Sequence, residues 1–199
     1  MIKNIIFDFG GVLIDWNPRY LYRDLFDNEN EMEYFLEHVC SHTWNEEQDA
    51  GRPLSQATSA LQKEFPEHEK MIQHYYDDWE KMLNGGIDKN IELLYQLKNK
   101  YRVFGLTNWS AETFPIAQEK FPFLIEFEGI VVSGIEKVKK PDQAIFTLLL
   151  DRYQLKANES LFIDDNPQNI SAAKIIGFET IHLDNGTCLE TELRALQLL

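Results

Sequence analysis

Cysteine is nearly missing. The 199 residues hold two, Cys40 and Cys188, far apart and without the paired spacing of a thiolate metal site, so they read as free thiols rather than as a disulfide or zinc framework. Positive charge is also short: 33 acids stand against 19 bases, a formal net charge of −14. Self-repulsion of that size argues against nucleic acid or an anionic membrane as a partner held by bulk electrostatics. Long apolar runs are absent too, since the first one breaks at Asp8. Neither a signal peptide nor a membrane span is expected, and a cytoplasmic location follows as the expectation. No repeat or low-complexity tract appears. With 44% hydrophobic and 26% charged residues, the composition is that of an ordinary soluble globular domain, large enough for one core plus a smaller module.

What is present falls into two textures. "NIIFD" at the start, then "RVFGLT", "GIVVS", "SLFID" and "FETIHL" read as strands, and after residue 101 each is followed by a segment of helical length or spacing. Strands alternating with helices predict a parallel sheet with right-handed crossovers, an α/β doubly wound fold covered by helices on both faces. Between 16 and 86 the strand-like runs vanish. "PRYLYRDLF" with an Asn17 cap and a Pro18 start, "EMEYFLEHV", "SQATSALQKEF" and "EKMIQHYYDDWEKML" ending at Gly85-Gly86 predict helices. The expected organisation is a core of 1–15 and 87–199 with a helical insertion at 16–86. That insertion carries 15 acids and 6 bases, so it is no funnel for polyanions.

The chemistry gathers at predicted strand ends. Asp8 ends the first strand, Thr107 ends "RVFGLT", and Asp164-Asp165 end "SLFID". In an open parallel sheet these ends share the edge where ligands bind. Two like charges ~4 Å apart repel by roughly 4 kcal/mol at an effective dielectric of about 20, so converging carboxylates need a cation among them. A hard divalent ion, Mg²⁺, suits an all-oxygen set, and no histidine or cysteine cluster is present to favour zinc. Lys140 in "VKKPDQAIF" is placed to meet a phosphate or balance a carboxylate. Taken singly, each residue has a plainer reading. Asp8 is a turn former, Thr107 caps the helix after "TNWSAE", Asn166 and Pro167 open another, Lys139 and Lys140 are a solvated helix entry, and Gly10 and Gly11 serve a turn.

As an ordered set, "IIFDFGGVL", "VFGLTN", "KKP" and "LFIDDNPQNI" resemble the four motifs of the haloacid dehalogenase-like (HAD) hydrolase superfamily, and the resemblance covers the whole chain. The insertion resembles the C1-type helical cap of that superfamily. Within it, the motifs are most similar to bacterial sugar-1-phosphate phosphatases and to the amino-terminal phosphatase domain of soluble epoxide hydrolases. The resemblance implies a Rossmann-like core and Asp8 as a nucleophile that forms an aspartyl-phosphate. It further implies Mg²⁺ held by Asp8, the Gly10 carbonyl, Asp165 and, through water, Asp164. Thr107 and the Asn108 backbone amide would hold phosphate oxygens, Lys140 would neutralise them, and Asn169 would bond in the same shell. The substrate implied is a small phosphate monoester, a sugar phosphate for preference.

One position departs from the pattern. Phosphatases of the superfamily carry an acid-base aspartate two residues after the nucleophile, and here Gly10 stands there. Asp15, or a bound water, is the available replacement. The departure predicts a slow enzyme or an easy leaving group, such as the anomeric oxygen of a sugar 1-phosphate. It also keeps open a 2-haloacid dehalogenase, which lacks the same aspartate, and a non-catalytic binding protein. The paired acids of the fourth motif favour the phosphatase. For substrate selection, the polar and aromatic candidates are Arg19, Arg23, His42, Trp44, Arg52 and Trp109. Arg52, in the loop "DAGRPL", is the one expected to point toward the site. Trp44, Trp79 and the remaining arginines read more simply as core and as partners of nearby acids.

Overall fold

The computed structural model describes residues 1–199. Five strands, β1 (Asn4–Phe7), β4 (Arg102–Thr107), β5 (Gly129–Val132), β6 (Ser160–Asp164) and β7 (Glu179–His182), form one sheet in the order β5-β4-β1-β6-β7. Every pairing in it is parallel. The first strand sits at the centre, so the order reverses direction at β1, the switch point where a crevice opens. Two short strands, β2 (Ile14–Trp16) and β3 (Leu83–Gly86), pair antiparallel as a separate ribbon.

The strands read as unbroken apolar runs because both faces are covered, and alternate residues serve different layers. Ile5, Phe7, Leu161 and Ile163 belong to the larger cluster with Leu94 and Leu193 of helices Asp88–Leu97 and Leu189–Ala195. Ile6, Phe104, Leu106 and Phe162 face the other way, against Phe146 of helix Gln143–Tyr153 and Ile170 of helix Pro167–Ile176. Neither cysteine is paired: Cys40 is buried and Cys188 exposed. No helix is long and apolar enough to cross a membrane.

Between the ribbon strands lies the helical insertion, with helices Glu29–His38, His42–Asp49, Leu54–Glu64 and Glu69–Asp77 as its main pieces. Its aromatic centre, Tyr22, Phe35 and Tyr75, runs on into the larger core cluster. Three expectations are corrected here. "PRYLYRDLF" forms only the single turn Arg19–Tyr22, whose Arg19 amide bonds to the Asn17 side chain at 3.0 Å. The long last helix stops at Asp77, and the chain tightens into a 3₁₀ turn, Trp79–Met82, which drives Trp79 and Met82 into the core. Gly85 and Gly86 do not cap it; they pair across the ribbon with Asp15 and Ile14. Helix His42–Asp49, capped by the Ser41 hydroxyl on the Trp44 amide, is not among the helices the sequence predicts. Its inward residues Asn45 and Gln48 are polar, so it shows no apolar stripe.

Phe162 is fully buried and meets Phe146 edge-on at 5.4 Å. Phe162→Ala is therefore expected to lower unfolding free energy by ~3–5 kcal/mol in denaturant titrations.

Candidate active site

At the carboxyl edge of the sheet, Asp8 follows β1, Thr107 closes β4 and Asp164 closes β6. Ligand oxygens of Asp8, Asp164 and Asp165 all lie within 4.8 Å of one another. Lys140 reaches in from the loop between the short helix Ser133–Glu136, which follows β5, and helix Gln143–Tyr153. Its Nζ stands 2.6 Å from Asp164 Oδ2 and 3.0 Å from Asp8 Oδ1, with the side chain fully buried. Burial alone would discharge this ammonium, but Asp164 and Asp8 more than offset that and hold its pKa above the ordinary lysine value. Asp8 is pushed up to about 7, first by burial and then by Asp164 and Asp165, with Lys140 pulling the other way. Burial and the Asp164 charge also raise Asp165. Three carboxylates against one ammonium leave the cluster negative, a surplus that one divalent cation would balance.

The surrounding bonds explain how the lysine is aimed. The Asn108 side chain makes a reciprocal amide pair with the Lys140 backbone: its Nδ2 donates to the Lys140 carbonyl at 2.9 Å, and its Oδ1 accepts the Lys140 N–H at 2.8 Å. Asn169 Nδ2 donates to both oxygens of Asp164, at 3.0 and 3.1 Å, while its Oδ1 is buried without a partner. Asp164 also accepts the Asn166 backbone N–H at 2.8 Å. Asn166 and Pro167 do open the following helix, as the plain reading held, with the Asn166 side chain accepting from Gln168 N. Thr107, by contrast, caps nothing, because the next helix starts only at Phe114.

Gly11 adopts φ +70°, and a Cβ there would fall 2.2 Å from Asp165 Oδ2. Only glycine lets this turn lie against the acidic pair. At Gly10 the opposite holds: a Cβ would meet nothing within 4 Å.

A cavity of about 310 Å³ opens over this cluster. Asp8, Gly10, Asn108, Lys140, Asp165 and Asn169 form its floor; the insertion supplies Trp16, His42, Asn45, Glu46, Asp49, Tyr76 and Trp79. Of the substrate-side candidates, His42 and Trp109 line it. Arg52 does not: its guanidinium is taken up by Glu47. Arg19 is held by Glu33 in a bidentate pair at 2.6 Å. Asp15 lies off the cavity and accepts bonds from Tyr20 and Asn84. Trp44 packs on Tyr75 and Tyr76, as its core reading held. Trp79, read as core, is buried against Trp109 and also lines the cavity.

Sequence reasoning missed Asn45, Glu46, Asp49, Tyr76, Ser110 and Thr113. The signal was Ser41 followed by a polar helix, which marks a helix start but not an inward face. Two contacts dock this helix onto the core, Ser133 Oγ donating to the Asp49 carbonyl and Lys139 pairing with Glu46 at 2.9 Å, and a third fastens the start of the next helix, where Glu112 Oε1 accepts the Leu54 N–H at 2.9 Å.

The family model "haloacid dehalogenase-like hydrolase" matches residues 5–183. The chain belongs to this family. A sesquiterpene phosphatase from Aspergillus oryzae is 27% identical over 98% of the chain and 96% of its own length. A D-ribitol-5-phosphate phosphatase from Bacteroides thetaiotaomicron is 23% identical over 98% of each. Among solved structures, a HAD family enzyme from Bacteroides thetaiotaomicron in complex with magnesium and inorganic phosphate superposes with a TM-score of 0.72. It is 22% identical over 98% of this chain and 100% of that one. A dehalogenase superposes equally well, with a TM-score of 0.72 at 20% identity over 96% and 89%. At such identities the structural likeness establishes the fold.

Burial pushes the Asp49 carboxyl up to about 7, Glu46 adding to this and Lys139 opposing it. Unfolded, an aspartate titrates near pH 3.9. Between those values the folded chain binds the extra proton, so this group lowers stability as pH rises from about 4 to about 7. Asp49→Asn is expected to match wild type in thermal unfolding near pH 4 and to exceed it above pH 7, by on the order of a few kcal/mol.

Proposed function

We propose that the chain is a magnesium-dependent phosphatase that hydrolyses a compact, hydroxyl-rich phosphate monoester, a sugar or polyol phosphate, through an aspartyl-phosphate on Asp8. The observation that carries this reading is the buried cluster of three carboxylates around one lysine ammonium. The donors fit the metal: they are all oxygens, the cluster keeps a negative surplus, and the Asn169 Oδ1 lacks a partner beside it. Asp8, the Gly10 carbonyl, Asp165 and, through water, Asp164 would hold Mg²⁺, which supplies positive charge to phosphate oxygens and nucleophile.

This chain's own groups do the rest. Asp8 forms the bond to phosphorus, splitting one displacement into two. The Lys140 ammonium has three hydrogens, and Asp8 and Asp164 engage two, which leaves one for a phosphate oxygen. The Thr107 hydroxyl and the Asn108 backbone amide serve the other oxygens. The Asn108 side chain holds the Lys140 backbone in place.

Two whole-length relatives are phosphatases for very different substrates by their names, a sesquiterpene compound and D-ribitol 5-phosphate. The polar side chains among the cavity's aromatic walls support the polyol side. Its 18 lining residues include 4 hydrophobic ones, and Asn45, Glu46, Asp49, Ser110 and Thr113 offer hydrogen bonds that an isoprenoid chain cannot use. The buried, unpartnered Trp16 Nε1 adds a donor on the same wall. Arg52 would reach a substrate only by leaving Glu47.

The expected result of a phosphate-release screen is turnover of sugar and polyol phosphates that stops with chelator and returns with Mg²⁺. Asp8→Asn should lower turnover by at least ~10³-fold. Halide release from 2-haloacids that ignores chelator would identify a dehalogenase, and absence of any turnover a binding protein. Gly11→Ala, which would displace Asp165, should abolish the Mg²⁺-induced rise in melting temperature seen with wild type.

A further inference from the structure

Ester cleavage needs a proton on the departing oxygen, and hydrolysis of an acyl phosphate needs one removed from water. Beside Asp8 no spare group offers this. Asp165 belongs to the metal set, Lys140 is locked between two carboxylates, and residue 10 is glycine with open space where a side chain would stand. Asp15, the nearest acid along the chain, is bound to Tyr20 and Asn84 away from the cavity.

We propose that Asp49, carried by the insertion, is the general acid and base of the reaction. Its carboxyl gives a proton to the ester oxygen as the P–O bond breaks and the Asp8–phosphorus bond forms. The alcohol leaves, and Asp49 is then a carboxylate. It next takes a proton from the water that bonds to phosphorus, Asp8 departs with its own electron pair, and hydrogen phosphate is released with Asp49 protonated again. This assignment rests on the phosphatase reading of the same site.

Three observations single out Asp49. It opens on the one cavity that Asp8 and Lys140 also line. Its backbone is docked to the core by Ser133, and Oδ2 takes a 3.3 Å bond from Asn45. The other titratable groups of the insertion on this cavity are otherwise engaged or unsuited. Glu46 is paired with Lys139, His42 is largely exposed, and the Tyr76 hydroxyl donates to Asn45 while burial drives it far above the neutral range. The charged and titratable neighbours of Asp49 are Glu46 on its own helix, Lys139 from the core, and Tyr75 and Tyr76 from the helix packed beside it. A carboxyl that titrates at about 7 can donate and accept within one cycle, which an ordinary aspartate cannot do efficiently at neutral pH.

The test compares an alkyl ester, glycerol or sugar phosphate, with p-nitrophenyl phosphate, whose leaving group needs no proton. With Asp49→Asn, alkyl ester turnover should fall ~10²–10⁴-fold. The aryl ester should still give a rapid burst of one equivalent of nitrophenolate, followed by slow turnover, since only hydrolysis of the phospho-enzyme then lacks its base. Adding Gly10→Asp to that variant should restore at least ~10-fold of alkyl ester turnover, because a carboxylate has room there. In wild type, alkyl ester kcat should decline above about pH 7 while the aryl burst rate does not fall; this arm holds even if the variant does not fold. An equal loss on both esters without a burst, a change confined to KM, or a level wild-type alkyl profile through pH 8 would overturn the proposal. A wild-type protein that releases phosphate from neither ester would overturn the reading of the site itself, and the role of Asp49 with it.

Discussion

The site is organised around one buried ion cluster, the Lys140 ammonium between Asp8 and Asp164. Removing any of these charges from water is costly, and a lone buried partner would be worth several kcal/mol of instability. The fold therefore has to deliver both carboxylates and the lysine together. It does so by ending β1 and β6 at the same edge and by fastening the Lys140 backbone to the Asn108 side chain. Asn169 then satisfies Asp164 from the following helix. Four separate stretches of sequence thus answer to one electrostatic requirement, and the remaining negative charge is what the site has to offer a divalent cation.

The same requirement explains why the core was legible in the sequence. A buried parallel strand is apolar on both faces, so a carboxylate at its end stands out against "NIIF" and "SLFI". Strand order and the direction of the ligand crevice follow from general rules of parallel sheets. The insertion obeys no such rule. Helix His42–Asp49 turns Asn45 and Gln48 inward, where Tyr76 bonds to both, so apolar spacing is silent about it. Yet that helix brings four of the seven residues by which the insertion lines the cavity, His42, Asn45, Glu46 and Asp49. Arg52 drew attention as a lone base in a polar loop, but the insertion's many acids supply it with a nearer partner in Glu47. Gly85 and Gly86 likewise look like a helix stop in one dimension and are a strand in three.

Division of labour between core and insertion follows from these packing facts. The core carries the fixed charges and, in the proposed reaction, the groups that would meet the phosphate. The insertion carries neutral hydrogen-bonding groups, aromatic walls and one carboxyl whose burial keeps it close to neutrality. The two are joined by the shared aromatic cluster as well as by Ser133, Lys139 and Glu112. In the proposed reaction an alcohol of different shape would be accommodated by changing the insertion's side of the cavity, with the floor of carboxylates and lysine untouched.

The ribbon of β2 and β3 bears on how such an insertion is tolerated at all. Asp15 lies opposite Gly85 and Ile14 opposite Gly86, so the chain leaves and re-enters the core at neighbouring points, hydrogen-bonded to each other. To the five-stranded sheet, everything beyond that ribbon is a single hairpin loop, and the entropy of closing a loop grows only slowly with its length. An entire helical module can hang there, be lengthened or be exchanged, while the central strand keeps the same two neighbours.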